Sequence, residues 1–191
     1  MPEGAIDSWI NSVSTSEVSK ALGTYIDQNN NGHVFVLNTD GTNFEDKTPG
    51  DSISAWIDDV SKDGKLAYGS FNDTSNNGHV FFIQTNGAKY QDLTPNESIY
   101  AQLGGLSQDG TKAWGSFYDV NQNVHSYVIN VDGTGYHDLT PPGTGNSWIS
   151  GLSADGTKAW GSYFDENFIT RSFVSNTDGS TLVYIDPKNS I

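Results

Sequence analysis

The chain contains no cysteine, one methionine and one arginine, Arg171. Without cysteine there is no disulfide framework, no thiolate chemistry and no Cys-ligated zinc. Lys and Arg together number 9 against 23 Asp and Glu, a formal net charge of -14. A duplex binder needs a basic stripe to displace counterions from phosphates, so neither nucleic acid nor an anionic membrane surface is expected as a partner. No run reaches the length of a transmembrane span, and the opening residues MPEGAIDSWI carry neither a charged n-region nor an apolar h-region, so no span and no signal peptide are expected. Apolar residues make up only 35% while aromatics reach 12%. A core must therefore come from large aromatics on sheets rather than from Leu-rich helices.

What the chain does have is a period. Ala67-Tyr68-Gly69-Ser70, Ala113-Trp114-Gly115-Ser116 and Ala159-Trp160-Gly161-Ser162 are spaced by 46 residues, and one further step back reaches Ala21-Leu22-Gly23-Thr24. Asp27, Asp73, Asp119 and Asp165 share this register, as do His33, His79, His125 and Arg171, and Pro49, Pro95, Pro141 and Pro187. Within each unit, alternation and turn signals predict four short strands. In the third they fall at about 100–107, 111–118, 125–131 and 135–139, with Asp132-Gly133 suited to a hairpin turn. Ser14-Thr15-Ser16-Glu17 resembles a capping box, but the repeat register predicts strand and turn there.

Tandem four-stranded antiparallel meanders of this length are the signature of propeller blades, so the expectation is an all-β, single-domain, four-bladed β-propeller, with repeats at about 2–48, 49–94, 95–140 and 141–187. The second strand supports stacking: Ala21 and Gly23 with their counterparts make a small face, and Leu22, Tyr68, Trp114 and Trp160 a bulky one. Setting each bulky face against the next small face would make those aromatics inter-blade core. The chain begins and ends at the same point of the unit, which leaves open whether it closes as a monomer or forms a small homo-oligomer.

The segments Leu106–Ser116 and Leu152–Ser162, followed by strands of the Gly32–Phe35 and Gly78–Phe81 kind, resemble HAF-type bacterial extracellular repeats. Through Ser-x-Asp-Gly and Asn-x-Asp-Gly-Thr they are also similar to TolB-like, WD40-type propeller repeats. The resemblance spans the chain and implies a propeller and an exported, extracellular or periplasmic bacterial protein. It carries over no catalytic set.

Three constellations are candidates for chemistry. Asp27-Gln28-Asn29-Asn30-Asn31-Gly32 and Asp73 to Gly78 place oxygen donors at alternate positions before a glycine, as calcium loops do, making Asp27, Asn29 and Asn31 weak calcium candidates. Each loop has one carboxylate, however, and Asn38 and Gln84 stand where a bidentate Glu is needed, so turns capped by their own side chains are the alternative. No cofactor is expected beyond a structural ion in the loops or central channel. His33, His79 and His125 read as the polar flank of an outer strand, and His137 has no evident partners. An enzyme is the lesser expectation: no nucleophile elbow, phosphate loop or His-Glu-x-x-His is present. A carboxylate pair for glycoside cleavage could be drawn from the unrepeated acids Glu17, Glu45, Asp58, Asp59, Glu97 and Glu166, but nothing in the sequence fixes their separation or burial.

The third constellation favours binding. Trp9, Trp56, Tyr100 and Trp148 fall near the starts of first strands on the side of the Asp/Asn loops, with Gln102 in the register of Trp56 and Trp148. Aromatic faces rimmed by amides hold neutral sugars by stacking and hydroxyl pairing. The expected function is a non-catalytic, lectin-like module for a neutral glycan or small ligand. A structural or protein-interaction propeller is the alternative, and a glycoside hydrolase comes last.

Overall fold

The structure, a computed structural model, describes residues 3–13, 19–61, 65–85 and 90–185. Every regular element among them is a strand. The capping-box segment at 14–17, Glu17 included, lies outside the described residues.

The chain divides into two compact units, Met1–Thr94 and Pro95–Ile191. In the first, β1 (Ala5–Val13), β2 (Lys20–Asp27), β3 (Gly32–Asn38) and β4 (Glu45–Asp46) form one antiparallel meander. A second follows, made of β5 (Ser52–Val60), β6 (Leu66–Asp73), β7 (Gly78–Gln84) and β8 (Tyr90–Asp92). The second unit repeats the pattern with β9 (Tyr100–Leu106), β10 (Lys112–Tyr118), β11 (Val124–Asn130) and β12 (His137–Asp138). Its other meander is β13 (Ser147–Leu152), β14 (Lys158–Phe164), β15 (Thr170–Asn176) and β16 (Leu182–Ile185). Gly110 and Gly133, in the predicted turns of the third repeat, take φ of 70° and 85°, a region a side chain disfavours.

Each unit is built by stacking one meander on the next. In the first, Leu22, Val34 and Val36 from one sheet meet Ala55, Ile57, Ala67, Phe71, Phe81 and Ile83 from the other, all buried. In the second, Val128 and Leu139 meet Ile149, Ala159, Tyr163 and Phe173, with half-buried Trp114 against them. Burying a side chain such as Phe71 contributes about 1.5–3 kcal/mol, so these seams stabilise each unit far more than the short outer strands do. Polar ties set the seam register. The Gly32 amide donates to Ser54 Oγ at 2.7 Å, and Ser126 and Ser147 share a buried 2.7 Å hydroxyl contact.

The bulky-against-small expectation needs one correction. Leu22 and Trp114 do pack toward the next meander's alanines, but the glycines are small for a reason internal to their own sheet. Every first strand carries a bulge, with register shifts at Ile10/Ser12, Ile57/Asp59, Trp114/Gly115 and Ile149/Gly151. The bulge turns a first-strand carbonyl onto the second strand. A methyl at Gly23, Gly69, Gly115 or Gly161 would stand 1.9–2.3 Å from the carbonyl oxygen of Trp9, Trp56, Gln102 or Trp148. Trp114 and Trp160 likewise lie over Gly104 and Gly151 of their own first strands, and Trp160 stays 44% exposed.

Candidate binding site

The bulged first strands β9 and β13 bring side chains of the second unit to one cavity. In the second unit, Gln102 and Gly104 from β9, Trp114, Gly115 and Ser116 from β10, and Trp148 and Ile149 from β13 line a cavity of about 170 Å³. Gln102 faces Ser116 across the β9–β10 ladder, and its Nε2 donates to Ser116 Oγ at 3.2 Å. Trp148 is half-buried and meets Phe164 edge-on, with ring centroids 5.3 Å apart. Gly104, the extra residue of its bulge, leaves the room that Trp114 fills: a methyl there would overlap the indole at 1.9 Å. No charged side chain is in the lining.

The four expected aromatics are thus not equivalent. Trp148 lines the cavity with Gln102, whereas Tyr100, 46% exposed, packs edge-on against Tyr118 and is outside the lining. In the first unit, Trp9 is 41% exposed and Trp56 is half-buried beside the end of the Asp27 loop, where a methyl on Gly32 would lie 3.2 Å from its Nε1. Trp9, Trp56, Gln102 and Trp148 share one register, paired with Thr24, Ser70, Ser116 and Ser162. Sequence reasoning missed Ser116 and Trp114 as wall residues. The signal for Ser116 was available, because Gln102 interrupts a column of tryptophans.

In the loop before the third strand, Asp27 Oδ1 accepts the backbone amides of Asn29 and Asn31, both at 2.8 Å, while their carboxamide nitrogens face Oδ2. Asp73, Asp119 and Asp165 cap their loops in the same way. The Asn77 amide foremost, against the opposing effect of burial and with help from the Asn77 side chain and His79, pulls the Asp73 carboxyl down to about 2. Among the described residues, no group of three or more His, Asp or Glu side chains is arranged to hold a metal ion.

The histidines are more than a polar flank. His33 Nε2 lies 3.4 Å from Asp27 and its Nδ1 3.9 Å from Asp46; His79 bridges Asp73 and Asp92, and His125 bridges Asp119 and Asp138. Each ring also stacks on an aromatic of the second strand, at centroid distances of 4.6–4.8 Å. In the fourth repeat Tyr184 takes the place of the second aspartate, and Arg171 Nε pairs with Asp165 at 3.0 Å. The bracket ties the loop to the outer strand. Of the unrepeated acids, Glu45 pairs with Lys47 at 2.6 Å, and Asp58 and Asp59 are neighbours on β5.

No family model and no curated protein sequence matches the chain. Solved structures do. A TolB protein from Agrobacterium tumefaciens aligns at 16% identity and TM-score 0.54, over 85% of this chain and 60% of that one. TolB from Acinetobacter baumannii aligns at 18% and 0.53, over 89% and 41%. The β-propeller domain of the Trilobed protease from Pyrococcus furiosus, described as having an open velcro topology, aligns at 10% and 0.58, over 95% and 58%. The fold is a β-propeller fold, as in those structures. This chain spans only about two fifths to three fifths of those proteins. The likeness carries the propeller fold, not a blade count or a closed ring, and it bears on the TolB-like half of the sequence resemblance rather than on the HAF-type half.

Proposed function

We propose that the chain is a non-catalytic propeller binding module whose second unit takes a neutral, ring-sized group, such as one sugar residue, between Trp148 and Trp114. The observation that carries this reading is the cavity: indoles for stacking, a carboxamide and a hydroxyl for orientation, and no charge in the lining. At about 170 Å³ it is smaller than the roughly 300–1,000 Å³ of sites for drug-sized ligands, which matches a single ring rather than a whole oligosaccharide. Trp9 and Trp56 extend the proposal as stacking surfaces in the first unit, and Tyr100 as a rim contact. An exported location belongs to the same proposal. Saturation-transfer contacts from a panel of neutral glycans test it. Trp148→Ala is expected to weaken the responding sugar by at least about tenfold, or 1.4 kcal/mol, with the fold unchanged. A glycan panel without any response, or contacts unaffected by Trp148→Ala, rejects the site.

A protein-interaction reading rests on a different observation. Phe168, at the tip of the β14–β15 loop, is 84% exposed and holds a φ of 58°, a left-handed conformation that its counterparts Asn30, Asn76 and Gln122 also adopt. A bulky residue in that region is strained, and an exposed aromatic held there is suited to anchoring a protein partner. Phe168→Ala removing the capture of such a partner, with sugar contacts intact, would favour this reading.

A further inference from the structure

Because the chain repeats itself, each residue has counterparts that show what its position normally meets. Ile57 and Ile149 are 3% and 6% exposed, each buried against the preceding meander of its unit. Ile10 holds the same place opposite Gly23 and is 49% exposed, with Val13 beyond it at 52%. On the other side of a meander, Leu22 and Val36 are 0% and 1% exposed beneath the following sheet. Their counterparts in the last meander are Trp160, at 44%, and half-buried Val174. Ile185 is 48% exposed, whereas Leu93 and Leu139 in its register are 1% and 4%. The first meander thus presents an open leading face and the last an open trailing face, each of a kind that the same units bury elsewhere.

We propose that these faces bind each other between two copies of this chain, the Ile10 face of one docking on the Trp160 and Val174 face of the next. The occupant is defined by the interface already built twice in the chain, once in each unit, where an Ile of one first strand enters the apolar surface of the meander before it. The contact is heterologous, because the two faces differ. A charge of -14 on each copy opposes association, so salt should strengthen it.

Sedimentation of the intact chain from micromolar to hundred-micromolar concentration is expected to show association that rises with salt. Ile10→Asp and, separately, Val174→Asp should raise the midpoint concentration at least tenfold while each keeps the sheet dichroism of the parent. Since the chain has no cysteine, Ile10→Cys chains mixed with Val174→Cys chains should give a disulfide-linked heterodimer under oxidation, above the level either gives alone. A monomer at all concentrations overturns the proposal. So does a double Ile10→Cys, Val174→Cys chain that links only to itself, the result expected if four repeats close into one ring.

Discussion

At the scale of single residues, the loops between second and third strands show how side-chain chemistry substitutes for backbone. Asp73 accepts the amides of Ser75 and Asn77, and its carboxyl is held at about 2 against an ordinary 3.8. A depressed carboxylate contributes stability above its unfolded value and loses that contribution as pH falls through the folded one. Asp73→Asn is therefore expected to be less stable than the parent near neutral pH, with the gap closing between about 4 and about 2. Urea midpoints measured along that series check it, and a gap independent of pH would show that the charge is immaterial. Phe168 is the opposite case, a residue whose chemistry opposes its conformation. Phe168→Asn should raise stability by about 1 kcal/mol by relieving the left-handed strain, read as a higher Tm.

At the scale of elements, the bulge explains what the periodic glycine column means. The column was legible as repetition, yet its cause was read as the neighbouring sheet, whereas the nearest obstacle is a carbonyl of the same sheet. A sequence shows that a residue is small but not which atom requires it. Gly115→Ala would set a methyl 2.1 Å from Gln102 O, and thermal denaturation should register a loss of about 1–3 kcal/mol. Gly50→Ala, with nothing within 4 Å and no positive φ, is the control and should stay within about 0.5 kcal/mol of the parent. Equal effects at the two positions would refute the bulge explanation.

At the scale of the whole molecule, the dominant quantity is charge. A net charge of -14 on 191 residues destabilises the compact state by self-repulsion. Raising salt to 0.15 M shortens the screening length to about 8 Å, and the Tm is expected to rise. A falling Tm would mean that the Asp–His brackets and similar pairs outweigh the repulsion.

The 46-residue period, the all-strand composition, the turn positions and the strand alternation were determined by the sequence alone, because each rests on neighbours close along the chain. The third repeat shows it: strands expected at 100–107 and 111–118 form at Tyr100–Leu106 and Lys112–Tyr118. The Asp–His–Asp brackets were in principle readable as well, since Asp46, Asp92 and Asp138 keep the period and the fourth repeat exchanges His and Asp together for Arg171 and Tyr184. Which aromatics share a cavity was decided only by tertiary structure. Tyr100 and Trp148 looked alike in sequence, but packing turned one toward Tyr118 and left the other facing Gln102 and Trp114. Side chains 46 residues apart meet only through the stacking of sheets, and the stagger of that stacking is set by bulges and seam contacts that no local pattern encodes.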